Sequence, residues 1–163
     1  GVGDQAIRIR GGTDYTIVNS VLVDQSAGTP CLRIDTQEAI RAADASLDDV
    51  GPPVFNSFVM DCSIDFRDGS GGVTAADTQG FFDAGSNTDS NFTNTLTMTF
   101  VNGTNENAVA VFDPTSLGAF FTLPTNIGAV YPGNDTWVNG WTCNSSTATF
   151  DADVSNCTSL PVY

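Results

Sequence analysis

Lysine and histidine do not occur in this sequence at all, and its five arginines all fall before residue 68. Without histidine, and with four cysteines spread far apart, the chain lacks the ligand spacing of a tetrahedral zinc site. Nineteen acids against five arginines leave a net charge of −14. Such a balance repels nucleic-acid backbones and anionic lipid, so neither is an expected partner. No apolar run reaches the roughly 18 residues that cross a bilayer as a helix. The first residues also lack the basic-then-apolar pattern of a signal peptide.

What the chain does have is a repeat. Asn19-Ser20-Val21-Leu22-Val23-Asp24-Gln25-Ser26 returns 37 residues later as Asn56-Ser57-Phe58-Val59-Met60-Asp61-Cys62-Ser63. Upstream of each copy stands a second pair, Ala6-Ile7-Arg8-Ile9-Arg10 and Cys31-Leu32-Arg33-Ile34-Asp35, offset by 25. A unit of two short strands with no core of its own points to stacking of neighbours. The expected fold is therefore all-β, a right-handed parallel β-helix (solenoid), with coils over 1–112 and a C-terminal capping segment over 113–163 in one structural domain. Because Gly1-Val2-Gly3-Asp4 leads directly into a repeat strand, the chain reads as a fragment of a longer one with further coils upstream.

Within 36–50 the period changes. Asp35 and Glu38 are spaced as an N-cap and its third-position partner, and Ile40, Ala43, Leu47 and Val50 follow at helical spacing until Gly51-Pro52-Pro53. This predicts one short inserted α-helix. Gly80-Phe81-Phe82-Asp83-Ala84 stands where a third coil would begin. The alternating stretch 93–101 and the apolar 108–112 flank Asn102-Gly103, which allows a hairpin over 93–112. The tail gathers Phe120, Phe121, Tyr131, Trp137, Trp141, Phe150 and Tyr163, as a buried cap on a last coil demands. The rival use of the same rings is carbohydrate stacking by Trp137, Trp141 and Tyr131.

The cysteines fall into two separated pairs, Cys31 with Cys62 and Cys143 with Cys157. Spacings of 31 and 14 suit loop-closing disulfides and an oxidising, extracytoplasmic compartment. Asp65, Asp68, Asp77 and Asp83 surround Gly69-Ser70-Gly71-Gly72 and form a candidate calcium set, though their spacing matches no EF-hand. Asn-x-Ser/Thr triplets at Asn91, Asn102, Asn134, Asn144 and Asn156 are read as products of an Asn- and Thr-rich composition.

The segments Asp113-Pro114-Thr115-Ser116-Leu117-Gly118-Ala119-Phe120-Phe121, Asn126-Ile127-Gly128-Ala129-Val130 and Asp135-Thr136-Trp137-Val138-Asn139-Gly140-Trp141-Thr142-Cys143 carry a family resemblance. With Arg8-Ile9-Arg10-Gly11-Gly12-Thr13-Asp14 and Gly51-Pro52-Pro53-Val54-Phe55, the chain resembles the C-terminal part of right-handed β-helix surface proteins of Gram-negative bacteria, a family that includes lipoproteins. The resemblance implies export, a place at the cell surface or outer membrane, and no assigned activity or catalytic residues.

Polysaccharide-cleaving β-helix enzymes set the enzymatic alternative. Asn87-Thr88-Asp89 and Asp48-Asp49 resemble pieces of the pectin-hydrolase signature, whose paired carboxylates act as acid and base. Their order is reversed, however, and the signature's histidine and lysine motifs have no counterpart. The expected function is a non-enzymatic, surface-exposed or secreted module with a structural or adhesive role, associating with itself or with upstream coils. A carbohydrate-binding module that meets a cell-surface glycan is the alternative.

Overall fold

A computed structural model describes residues 5–131, 137, 141–146, 149 and 154–159. Four strands come first: β1 (Ile7–Ile9), β2 (Thr16–Asp24), β3 (Leu32–Ile34) and β4 (Val54–Cys62). Helices α1 (Ala75–Asp83) and α2 (Thr104–Ala108) follow. β1 pairs with β3 and β2 with β4, both parallel, so the two pairs are interleaved along the chain.

The parallel β-helix is overturned. No sheet among the described residues has more than two strands and none closes around the core. Among the described residues the ladder extends beyond each pair by isolated parallel bridges, Leu32 to Phe66, Thr36 to Gly71 and Val59 to Asp89. The fold is a small mixed α/β one. Where a third coil was expected the chain turns helical, because Thr74 and Asp77 form a reciprocal capping box: the Asp77 amide donates to Thr74 Oγ1 at 3.1 Å and the Thr74 amide to Asp77 Oδ2 at 2.9 Å. The helix drops Phe82 against Phe55, Phe58 and Phe66, with ring centroids 5.5–5.7 Å apart. A helical phenylalanine thus fills the space that another rung would have occupied. With the solenoid gone, end-to-end association through upstream coils loses its physical basis.

The strand registers carry a finer correction. β1 and β3 align at the expected offset of 25, Ile7 with Leu32 and Ile9 with Ile34. β2 and β4 align at 38 rather than 37, Val18 with Asn56 and Ser20 with Phe58. That register sets Asn19 beside Ser57, and both are left-handed, with φ of 51° and 49°. The backbone turn at Ser57 breaks the two-residue alternation and brings Phe55 and Phe58 into one core with Ile9, Leu32, Ile34, Met60 and Val73.

The inserted helix at 36–50 does not form as one α-helix. It is split into 3-10 turns at Gln37–Ile40 and Ala45–Leu47. The intended cap, Asp35, is drawn instead to Arg8, Arg33 and Ser70. Farther along, Asp44 caps Ser46 with its own side chain, and Asp48 closes the second turn left-handed. The 93–112 hairpin reduces to one antiparallel bridge, Thr97 to Val101, followed by α2. Glu106 starts that helix, accepting from the Gly103 amide at 2.8 Å and the Thr95 amide at 2.7 Å.

Candidate functional site

The repeated Asn/Ser motif anchors the C-terminal segment. Asn19 Nδ2 donates to the Phe112 carbonyl at 2.9 Å, and the Phe112 amide donates to Asn19 Oδ1 at 2.8 Å. Ser57, its neighbour in the ladder, donates to the Ala110 carbonyl at 2.7 Å. The left-handed turns therefore aim short polar side chains at the backbone of 110–112. Asp113 then caps the turn Pro114–Ser116, accepting from the Thr115 amide and hydroxyl.

A second set of bonds holds residues 127–130. The Gly128 amide donates to the Asn19 carbonyl, the Asn102 amide to the Val130 carbonyl, and Asn102 Nδ2 to the Ile127 carbonyl at 2.7 Å. Ile127 is fully buried, and Val130 meets Val101 and Val154 in a small second core. Disulfides join Cys31 to Cys62 and Cys143 to Cys157, the second beside paired backbone bonds between Asn144 and the 155–157 stretch.

The aromatic side chains between these anchors point outward. Phe120 is 92% exposed, Trp141 87%, Trp137 56% and Tyr131 41%. A buried cap is not what the described rings form. Trp137 is nonetheless oriented, since its Nε1 donates to the Ala129 carbonyl at 3.0 Å. An indole tethered at one edge keeps ring surface free for a partner, the arrangement that suits stacking. Phe120 and Phe121 meet edge to face at 5.6 Å. Phe150, Tyr163 and the Asn134 triplet lie outside the described residues.

The candidate calcium ligands do not converge. No group of three or more metal-ligating side chains occurs among the described residues. Asp68 accepts from the Ala75 amide and Asp77 is occupied in the capping box, so two of the four serve to start α1. Asp83 ends that helix. Asp65 is different: burial, and then the nearby Asp61 carboxylate, push its carboxyl up from the ordinary range.

The carboxylates of the enzymatic alternative are separated by their roles. Asp89 lines a cavity of about 310 Å³ with Val59, Asn87, Thr88 and Phe92, but no second carboxylate lines it. Asp49 is paired with Arg41 and accepts from the Gly51 amide, and its carboxyl is held below the usual range by those bonds. Asp61 and Asp65 line none of the three cavities described, of which the other two are of about 380 and 310 Å³.

Compared with known proteins, the chain matches no family model, no curated protein and no solved structure. The chemistry of the site therefore rests on its own residues. Among the Asn-x-Ser/Thr triplets, Asn91 and Asn156 are exposed, while Asn102 is buried and Asn144 donates to the Val154 carbonyl. Sequence reasoning singled out Trp137, Trp141 and Tyr131 but assigned Phe120 and Phe121 to the cap. The signal available for them was local: the pair sits between Pro114 and Pro124 with no helical or strand period to bury it.

Proposed function

We propose that this protein is a non-enzymatic adhesive module of an oxidising, extracytoplasmic compartment, presented at a bacterial surface, that holds a glycan on the exposed rings of its C-terminal segment. The observation that carries the reading is the outward placement of Phe120, Tyr131, Trp137 and Trp141 on a backbone pinned at 110–112 and 127–130. Large rings are usually buried at least in part, so side chains as exposed as Phe120 and Trp141 are the surface this reading offers to a partner. Two disulfides fit the compartment, and no helix among the described residues is long and apolar enough to cross a membrane. Six of the acids are spent on structure. Asp35, Asp44, Asp49, Asp77, Asp113 and Glu106 are all shifted down by structural hydrogen bonds, which makes them poor proton donors near neutrality.

Tryptophan fluorescence during titration with a panel of polysaccharides tests the proposal. Binding is expected to shift the emission, and Trp141→Ala to weaken it about tenfold, the loss of one stacked ring at roughly 1.4 kcal/mol. An emission spectrum that stays unchanged with every glycan would sink the reading.

A further inference from the structure

Resting on that reading, we infer that the glycan held by the C-terminal rings is an uncharged polymer, and that acidic polysaccharides are turned away. From residue 68 to the end the chain has no lysine, arginine or histidine, while the segment 113–163 carries Asp113, Asp135, Asp151 and Asp153. A uronate, sulfate or phosphate group brought to this segment meets no sequence-local cation. The arginines elsewhere are largely committed: Arg8 and Arg33 pair with Asp35, and Arg41 pairs with Asp49. A glycan with one carboxylate per sugar would thus approach a body of net charge −14 through a segment that carries acids and no cation of its own.

The groups that are present suit neutral sugars. Phenylalanine, tyrosine and tryptophan faces pack on the apolar C–H faces of pyranose rings, and amide and hydroxyl side chains exchange hydrogen bonds with sugar hydroxyls. Thr122 and Thr125 stand exposed between Phe121 and Tyr131, with half-buried Asn126 beside them. Shape argues for a polymer. Four separate rings, Phe120, Tyr131, Trp137 and Trp141, keep surface exposed to solvent. A chain of sugars can touch several such faces at once, whereas a monosaccharide would gain one contact and stay largely solvated.

Matched pairs of polymers test this. Soluble β-glucan, mannan and galactan are each compared with the same polymer after selective oxidation of its primary alcohols to carboxylates, by affinity electrophoresis of the intact chain at low and high salt. At least one neutral polymer is expected to retard the protein, with its oxidised partner about tenfold weaker at low salt. The gap should narrow as salt rises, because screening shortens the repulsion to about 3 Å at 1 M. An oxidised polymer that binds as well as or better than its neutral parent overturns the inference and leaves glycan binding standing. Failure of every pair to retard the protein overturns glycan binding itself.

Discussion

Phenylalanine has opposite fates in the two halves of this molecule. In the strand region Phe55, Phe58 and Phe82 are at most 1% exposed and touch one another, whereas Phe120 in the C-terminal segment is 92% exposed. The difference lies in what each stretch of backbone offers. β1 to β4 and α1 present a shared apolar face, so each added ring finds partners on several sides. Among the described residues from 93 on, short turns, α2 and single bridges surround a second core cluster of Val101, Val130 and Val154. Side-chain type alone does not decide burial; a packed face does.

The largest effect should therefore follow removal of a ring from the first half. Phe82→Ala leaves a hole among Phe55, Phe58 and Phe66 and is expected to cost about 3–5 kcal/mol, read as a lower urea midpoint at unchanged slope. The same truncation at Phe120 should fall within about 0.5 kcal/mol of the parent. Similar losses at both positions would erase the contrast between the halves.

Next in size is the charge cluster that ties β1 to β3. The register places Arg8 directly opposite Arg33, two like charges that would repel. Asp35, 3% exposed, resolves the conflict by pairing with Arg8 at 2.5 Å and Arg33 at 2.7 Å while accepting from the Ser70 amide and hydroxyl at 2.9 Å. Gly69 permits the approach, since a Cβ there would lie 2.4 Å from the Ile34 carbonyl oxygen. The Ser70 amide first, and Arg8 next, hold the Asp35 carboxyl far below the usual carboxylate range. A depressed folded pKa means that the unfolded chain takes up the proton first as acid is added. The contribution is thus complete above the ordinary carboxylate pKa of about 3.9 and is lost as pH falls below it toward the folded value. Asp35→Asn should cost about 3 kcal/mol at pH 7, because two arginines lose their partner, and should flatten the fall in stability between pH 5 and 2. An unchanged acid limb would show that Asp35 titrates as it does in the open chain.

How much of this was legible follows the same division. The 25-residue offset predicted the β1–β3 register because alternating Ile and Arg leave one alignment that keeps both isoleucines inward. The 37-residue offset was one short because it matched asparagine to asparagine, whereas the ladder matches backbone shape and sets left-handed Asn19 beside left-handed Ser57. Asp35 looked like a helix cap, and only the fold reveals that Arg8, Arg33 and Ser70 compete for it. Thr74-Ala75-Ala76-Asp77 has the spacing of a capping pair, and reading 80–84 as a third strand passed over that signal for α1. In the candidate site the rings were legible as residue types. Their exposure was not, since it depends on which faces the fold sets against each ring.

A smaller effect should separate the anchor from the rings it carries. Asn19→Ala removes both bonds to the Phe112 backbone and places a Cβ-bearing residue without a polar side chain at φ 51°, so about 1–2 kcal/mol is expected. Asn19→Gly loses the same bonds but relaxes the backbone, and should lie between alanine and the parent. Equal costs for the two variants would mean that the hydrogen bonds, and not the left-handed turn, dominate at this position.

Trp141 should show the smallest stability change and the largest functional one. At 87% exposure it contributes little to packing, so Trp141→Ala is expected to move the urea midpoint by no more than about 0.5 kcal/mol. Trp137→Ala should cost slightly more, because its ring is also tied to the Ala129 carbonyl. If the C-terminal rings are a contact surface, both variants weaken glycan binding about tenfold while the folded chain remains intact, the affinity loss far exceeding the stability loss. A Trp141 variant that unfolds more easily and binds as before would invert that relation, and the ring would then belong with Phe82 as part of a core.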